Sequence, residues 1–246
     1  MKKLGLFTNF QYDDTLYRAY RAGIQDYIIN QPQTQGDLEI EFINVIPQGA
    51  QTHGIYVNSS LFESCFRSAL EYAVNVRGCE VLALATRATH LHSIAEEVYA
   101  EDDHITRTSK LVSLLDCAID VSKQHFEQGS KLGFICDYWV ESDNYMRERF
   151  RQAGFEISNI FDMEMAKDFS IDATRILSAP PGTPDASGIR FICGLTESVI
   201  KTQSIKGILS VGYFELCEVY RQGGLIVPVI NLVDEHIKAI GHSILS

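Results

Sequence analysis

The sequence predicts an α/β protein, two pseudo-symmetric lobes with parallel sheets flanked by helices, and three observations predict it. Short runs rich in Val, Ile, Leu and Phe alternate with longer amphipathic segments. Strand and helix patterns take turns along the whole 246-residue chain, as βαβ units do when helices cover both faces of a parallel sheet. The layout near the N-terminus, "KLGLFT" then a polar turn and a helix, is echoed in the second half by "KLGFIC" then "DYWVESDNYMRERF".

The strand candidates are 3–8, 38–46, 80–86, 131–136, 205–212 and 226–231, each bounded by turn residues. Helical pattern fills the gaps at about 14–29, 60–77, 90–100, 115–127, 141–153, 186–203 and 232–244. In "SSLFESCFRSALEYAV", Leu61, Phe62, Cys65, Phe66, Leu70 and Ala73 recur at helical spacing, with Ser59 or Ser60 as N-cap. The repeated layout divides the chain into lobes at 1–110 and 111–231, with the last helix, about 232–246, crossing back to the first lobe. "SAPPGTPDASG" (178–188) lacks the lysine of a phosphate-binding loop and reads as a surface connection.

Composition narrows the function classes. Net charge is −11, and both nucleic acid and anionic membrane require a basic face, so neither partner is expected. The apolar run at the N-terminus is too short for a signal peptide, and no stretch approaches the ~18 apolar residues of a membrane span. The expectation is a soluble, cytoplasmic protein. Its six cysteines are scattered singly and mostly inside apolar runs, as buried reduced thiols are. His92 and His104 lie near the carboxylates Glu96, Glu97, Glu101, Asp102 and Asp103 without tight ligand spacing. The carboxylates fall mostly on a polar helix face and its exit and read as solvated, and neither a metal nor a cofactor is expected.

Ligands of open α/β sheets bind outside the carboxyl ends of strands. "ATRATH" (85–90) occupies such an end. The open N–H groups of the following helix would favour a carboxylate, and Arg87 would add a charged contact. The competing reading leaves Thr86 and Thr89 as helix caps and Arg87 in solvent. A second such end is "SVGYFELCEVY" (210–220). There Gly212 follows a strand, Glu215 lies in a first helical turn, and Tyr213 and Phe214 read first as packing residues.

These motifs resemble the aspartate/glutamate racemase superfamily, cofactor-independent enzymes related to hydantoin racemases and arylmalonate decarboxylases. Family members carry Cys-Asn-Thr-x-His after an early strand, Gly-Cys-Thr-Glu-Leu after a late one, then Val-Pro-Val-Ile and a helix with a histidine. Here the corresponding stretches are "TRATH" (86–90), "GYFEL" (212–216) and "VPVINLVDEH" (227–236). "ESDNYMRERFRQAGFEI" (141–157) and "GLFTNFQYDDTLYRAY" (5–20) match in place, so the resemblance spans nearly the whole chain.

The resemblance implies a small carboxylic or amino acid bound in a cleft between the lobes, with a homodimer as an assembly common in the family. It also implies two thiols, one removing the α-proton and one returning a proton to the opposite face. The sequence departs from the family at both thiol positions, which are Thr86 and Tyr213, and Arg87 replaces the asparagine. A threonine hydroxyl is too weak an acid to act as a base unaided, and tyrosine ionises near ~10 against ~8.5 for cysteine. Cys136, Cys193 and Cys217 are the thiols left to stand in.

Three functions follow from the resemblance. In an isomerase, Thr86 and Tyr213 would be the catalytic groups, with His90 or Asp137 assisting. Thr8, Asn9, Arg87, Thr89, His90, Phe214 and Glu215 would hold substrate. A non-catalytic relative would bind the acid only. A decarboxylase or lyase would need one proton donor near residue 213.

Overall fold

The computed structural model describes residues 2–8, 15–30, 38–45, 59–85, 90–135, 144–160, 163–178 and 185–245. The chain forms two compact units. The first takes in Met1–Ala118 together with Val233–Ser246, and the second is Ile119–Leu232.

In the first unit the elements are β1 (Lys2–Thr8), α1 (Thr15–Ile24), β2 (Leu38–Asn44), α2 (Ser59–Glu71), β3 (Val81–Leu84), α3 (His90–Glu101), α4 (Asp103–Thr108), β4 (Lys110–Ser113) and α5 (Leu114–His125), which runs on into the second unit. The helix expected at 14–29 ends in a π-helical turn, Gln25–Ile29, and the one expected at 60–77 ends in another, Tyr72–Val76. The second unit adds β5 (Lys131–Ile135), α6 (Asn144–Gln152), β6 (Glu156–Asn159), α7 (Met163–Leu177), α8 (Ala186–Gln203), β7 (Gly207–Ser210), α9 (Phe214–Gly223) and β8 (Val229–Asn231). Helix α10 (Leu232–Leu245) belongs almost entirely to the first unit.

Each unit holds a four-stranded sheet. The orders are β2-β1-β3-β4 and β6-β5-β7-β8, and every pairing is parallel. The second order repeats the first, strand for strand. The repeat therefore lies in topology, and the echo of "KLGLFT" in "KLGFIC" marks the first strand of each unit.

Burial follows the order. The inner strands β3 and β7 are buried at every residue, and β1 and β5 at all but their first one or two. The outer strands β2, β4 and β8 are mostly half-buried. Inner strands of a helix-covered parallel sheet have no solvent face, hence their unbroken apolar runs. In the first unit Phe7 meets Phe66, ring centroids 5.1 Å apart, and Phe62 stacks on Phe66 at 5.6 Å, fixing α2 against the sheet. In the second, Ile176, Ile189, Ile192, Leu216, Val219 and Tyr220 join α7, α8 and α9 over β7's Ile208.

Gly207 opens β7 where a Cβ would stand 2.2 Å from two ring carbons of Phe126. A ring yields less readily than the tip of an aliphatic chain. Gly207→Ala is therefore expected to destabilise the protein by about 1–3 kcal/mol, read as a lower urea midpoint at unchanged slope. An unchanged midpoint would show that Phe126 moves aside freely.

Strands β4 and β6 and helices α4 and α7 are additions to the sequence reading. "KLVS" and "EISN" are only four residues long and partly polar, too short to show a period. Asp185, inside the Pro/Gly stretch, caps α8: its carboxylate accepts from the Gly188 amide at 3.0 Å and from the Ser187 hydroxyl. No helix among the described residues is long and apolar enough to cross a membrane.

Candidate active site

A strand order of 2-1-3-4 has a switch point. From the first strand the chain crosses one way to the second and the other way to the third, and the helices that follow these two strands leave on opposite faces. The crevice between their carboxyl ends is where such sheets take ligands. In the first unit that crevice is bounded by the ends of β1 and β3, in the second by the ends of β5 and β7.

Thr8 closes β1. Its side chain is buried and its carbonyl accepts from the Val45 amide at 2.8 Å. The β1–β3 ladder ends where the Ala85 amide donates to the Phe7 carbonyl, 3.0 Å. β3 ends at Leu84, and α3 begins at His90. Asn9, Thr86, Arg87 and Thr89 lie outside the described residues, as does the His90 side chain. His92, two residues into α3, is wholly buried.

At the second switch point the described side is the one that follows β7. The β5–β7 ladder ends where the Val211 amide donates to the Ile135 carbonyl, again 3.0 Å. Only Val211, Gly212 and Tyr213 separate β7 from α9. The buried Ser210 hydroxyl donates to the Gly212 carbonyl at 2.7 Å and pins the turn from beneath.

Gly212 has φ 89°, which suits glycine. Tyr213 follows at φ 51°, ψ 48°, in the left-handed region that a bulky residue with a Cβ rarely enters, at roughly 1–2 kcal/mol. Its carbonyl accepts from the Leu216 and Cys217 amides at 3.1 and 3.2 Å, so the strained residue is also the cap of α9. Tyr213 is half-buried, its ring packed against the second unit's core, as the packing alternative expected. Packing explains the ring and leaves the backbone strain unexplained, and strain of this kind collects at functional turns.

Phe214 and Glu215 follow in the first turn of α9, both half-buried. Their amides have no acceptor within the helix, as at any helix N-terminus. The Ser170 hydroxyl of α7 lies 3.5 Å from the Glu215 carboxylate and orients it.

Substitute thiols fare poorly. Cys193 is buried in α8, and burial, with Glu197 nearby, pushes its thiol pKa up, away from the thiolate a base requires. Cys217 is buried one turn into α9. Cys136 lies outside the described residues.

Two buried groups carry little signal in the sequence. Ser210 gave no signal there. The other is His236, marked only by the "VPVINLVDEH" resemblance. It is fully buried on α10, its Nδ1 2.6 Å from the Tyr20 hydroxyl and its Nε2 3.1 Å from the Val112 carbonyl. A carbonyl only accepts, so Nε2 carries the proton and Tyr20 donates to Nδ1. Residue 112 is the penultimate residue of β4, so the pair braces that strand's carboxyl end from α1 and α10.

Two parallel four-stranded sheets of identical order, flanked by helices, define a class, and comparison with solved structures names it. An aspartate racemase homologue from Pyrococcus horikoshii superposes with a TM-score of 0.64 at 17% identity, over 98% of this chain and 97% of that one. A maleate isomerase variant from Pseudomonas putida S16, solved with maleate, gives 0.59 at 11% over 97% and 90%. An arylmalonate decarboxylase gives 0.57 at 9% over 98% and 91%. The chain therefore has the fold of the aspartate/glutamate racemase superfamily, as the sequence motifs implied. No protein-family model matches the sequence, and no curated protein does.

Proposed function

We propose that this chain binds a small carboxylic or amino acid and transfers a proton at the carbon beside the carboxylate, with the Tyr213 hydroxyl as its acid/base group in place of a thiol. The observation that carries this reading is the left-handed backbone of Tyr213 at the switch point of the second sheet. A tyrosine in that conformation is held there against its own preference, which packing of its ring does not require.

The chemistry is one-sided. A phenolate takes the proton from the α-carbon, leaving an enediolate that the carboxylate stabilises, and the phenol returns it. Donation is the easier direction for a group ionising near ~10. The site therefore suits exchange of an α-proton, or protonation of the carbanion left when a carboxylate departs as CO₂, better than two-thiol racemisation. The solved structures named above belong to proteins of aspartate, maleate and arylmalonate, which share two carboxyl groups. A dicarboxylate also suits Arg87, which stands where the family pattern has an uncharged asparagine.

A second reading, a binder without turnover, is favoured by the replacement of both thiol positions. Both readings predict a ligand. Aspartate, maleate or malonate at ~100 times its Kd should stabilise the protein by about 2.7 kcal/mol, a rise of several degrees in Tm. Arg87→Ala should abolish most of that rise without lowering the Tm of the free protein. If no acid moves the Tm, or the variant responds as the parent does, Arg87 has no part in acid recognition.

A further inference from the structure

Helix α8 is buried along one face only. Ile189, Ile192, Cys193, Thr196 and Ile200 point into the second unit's core. The opposite face is exposed and carries Ser187, Phe191, Gly194, Leu195, Ser198 and Thr202, a stripe at spacings of three and four. Phe191 is 67% exposed and Leu195 41%. Between them Gly194 stands in the middle of an 18-residue helix, where a Cβ would meet nothing within 4 Å. A mid-helix glycine weakens the helix, and no neighbour among the described residues requires one.

The stripe has a property that a general apolar patch lacks. Reflected about the point midway between Gly194 and Leu195, it maps onto itself with large residues opposite small ones. Phe191 falls on Ser198, Leu195 on Gly194, and Ser187 on Thr202. An antiparallel helix related by a twofold axis makes this reflection, and large-on-small facing pairs are what closely packed helices use. We propose that α8 is the face on which two copies of this chain meet, antiparallel about Gly194 and Leu195.

Charge supports a second copy as the occupant. Arg190 and Glu197 lie on the same flank of the stripe, seven residues apart. In the twofold pair each Arg190 comes to the flank of the second copy's Glu197, offset by two residues, or ~3 Å along the helix. An arginine side chain spans that offset. Lys201, 3.5 Å from Glu197 within the chain, leaves the face with two cations and one anion. On a protein of net charge −11 this face is thus spared the general repulsion between copies. Exposed Phe191 and Leu195 become the buried anchors, and Gly194 lets the two backbones approach.

The test is sedimentation equilibrium on the full chain from about 1 to about 100 µM, the range of a small, weak interface. The expected result is a monomer–dimer equilibrium. Gly194→Arg, placed where the chain has open space, should leave the circular dichroism melt unlowered and weaken association at least about tenfold. Phe191→Lys, at an exposed position, should do the same and serves if the arginine variant misfolds. Arg190→Glu should weaken association, and adding Glu197→Arg should restore it. A monomer at every concentration overturns the proposal. So does a dimer indifferent to Gly194→Arg and Phe191→Lys, which would mean that copies meet elsewhere or that α8 is covered by something else.

Discussion

Tyr213→Phe is expected to reduce proton transfer on the acid substrate by about a hundredfold or more, the usual contribution of a positioned acid/base group. The substitution removes one oxygen and nothing else. The ring stays against the second unit's core, the backbone stays left-handed, and the carbonyl still accepts from Leu216 and Cys217. Stability should therefore change little, and ligand-induced stabilisation should survive. That separation is the useful part. A loss of turnover with binding retained assigns the hydroxyl to the chemistry, whereas unchanged turnover returns Tyr213 to packing. Ser210→Ala tests the support beneath. It frees the Gly212 carbonyl, now held at 2.7 Å, and should lower turnover by loosening the turn while Tyr213 remains present.

Acid is expected to remove about 3 kcal/mol of stability through His236 alone. Burial lowers the pKa of this imidazole to about 4, with His92 nearby lowering it further and the Val112 carbonyl opposing. The folded protein thus keeps His236 neutral, while the unfolded chain binds a proton at about 6.5. Stability from this group is complete above that value and drains away as pH falls from about 6.5 towards 4, because only the unfolded state takes up the proton in that window. Denaturant unfolding at pH 7.5 and at pH 4.5 measures the loss. Tyr20→Phe, which leaves Nδ1 buried with no donor, should cost about 1–3 kcal/mol at neutral pH. It should also shrink the acid loss, since a less compact site protonates more readily. Stability that holds level between pH 6.5 and 4.5 would mean that His236 is already charged, or already open to water, in the folded protein.

The fold was largely legible because its signals are local. Strands β1, β3, β5 and β7 are continuous apolar runs since helices cover both their faces, and α8 was read to the residue, Ala186–Gln203. Its capping aspartate lies inside the Pro/Gly stretch. What escaped was short or non-local. Strands β4 and β6 have four residues each and make sense only beside their neighbours. Helix α7 carries its apolar residues amid Glu, Lys, Asp and Thr, and its core contacts are with α9, remote in sequence. At the site, "GYFEL" marks the turn between β7 and α9, while "TRATH" lies almost wholly outside the described residues. The sequence could not announce that Tyr213 is left-handed, because a tyrosine gives no signal of that backbone conformation. Nor could it pair Tyr20 with His236 across 216 residues.

The most direct test of the central claim is proton NMR in D₂O. The purified protein is incubated with L- and D-aspartate, L- and D-glutamate and an arylmalonate. The account predicts that at least one acid exchanges its α-hydrogen for deuterium, or loses CO₂ with deuterium entering at the vacated position, and that Tyr213→Phe does neither. Every α-signal intact, with an acid nevertheless raising the Tm, would contradict proton transfer at Tyr213 and leave a protein that holds a small acid without transforming it.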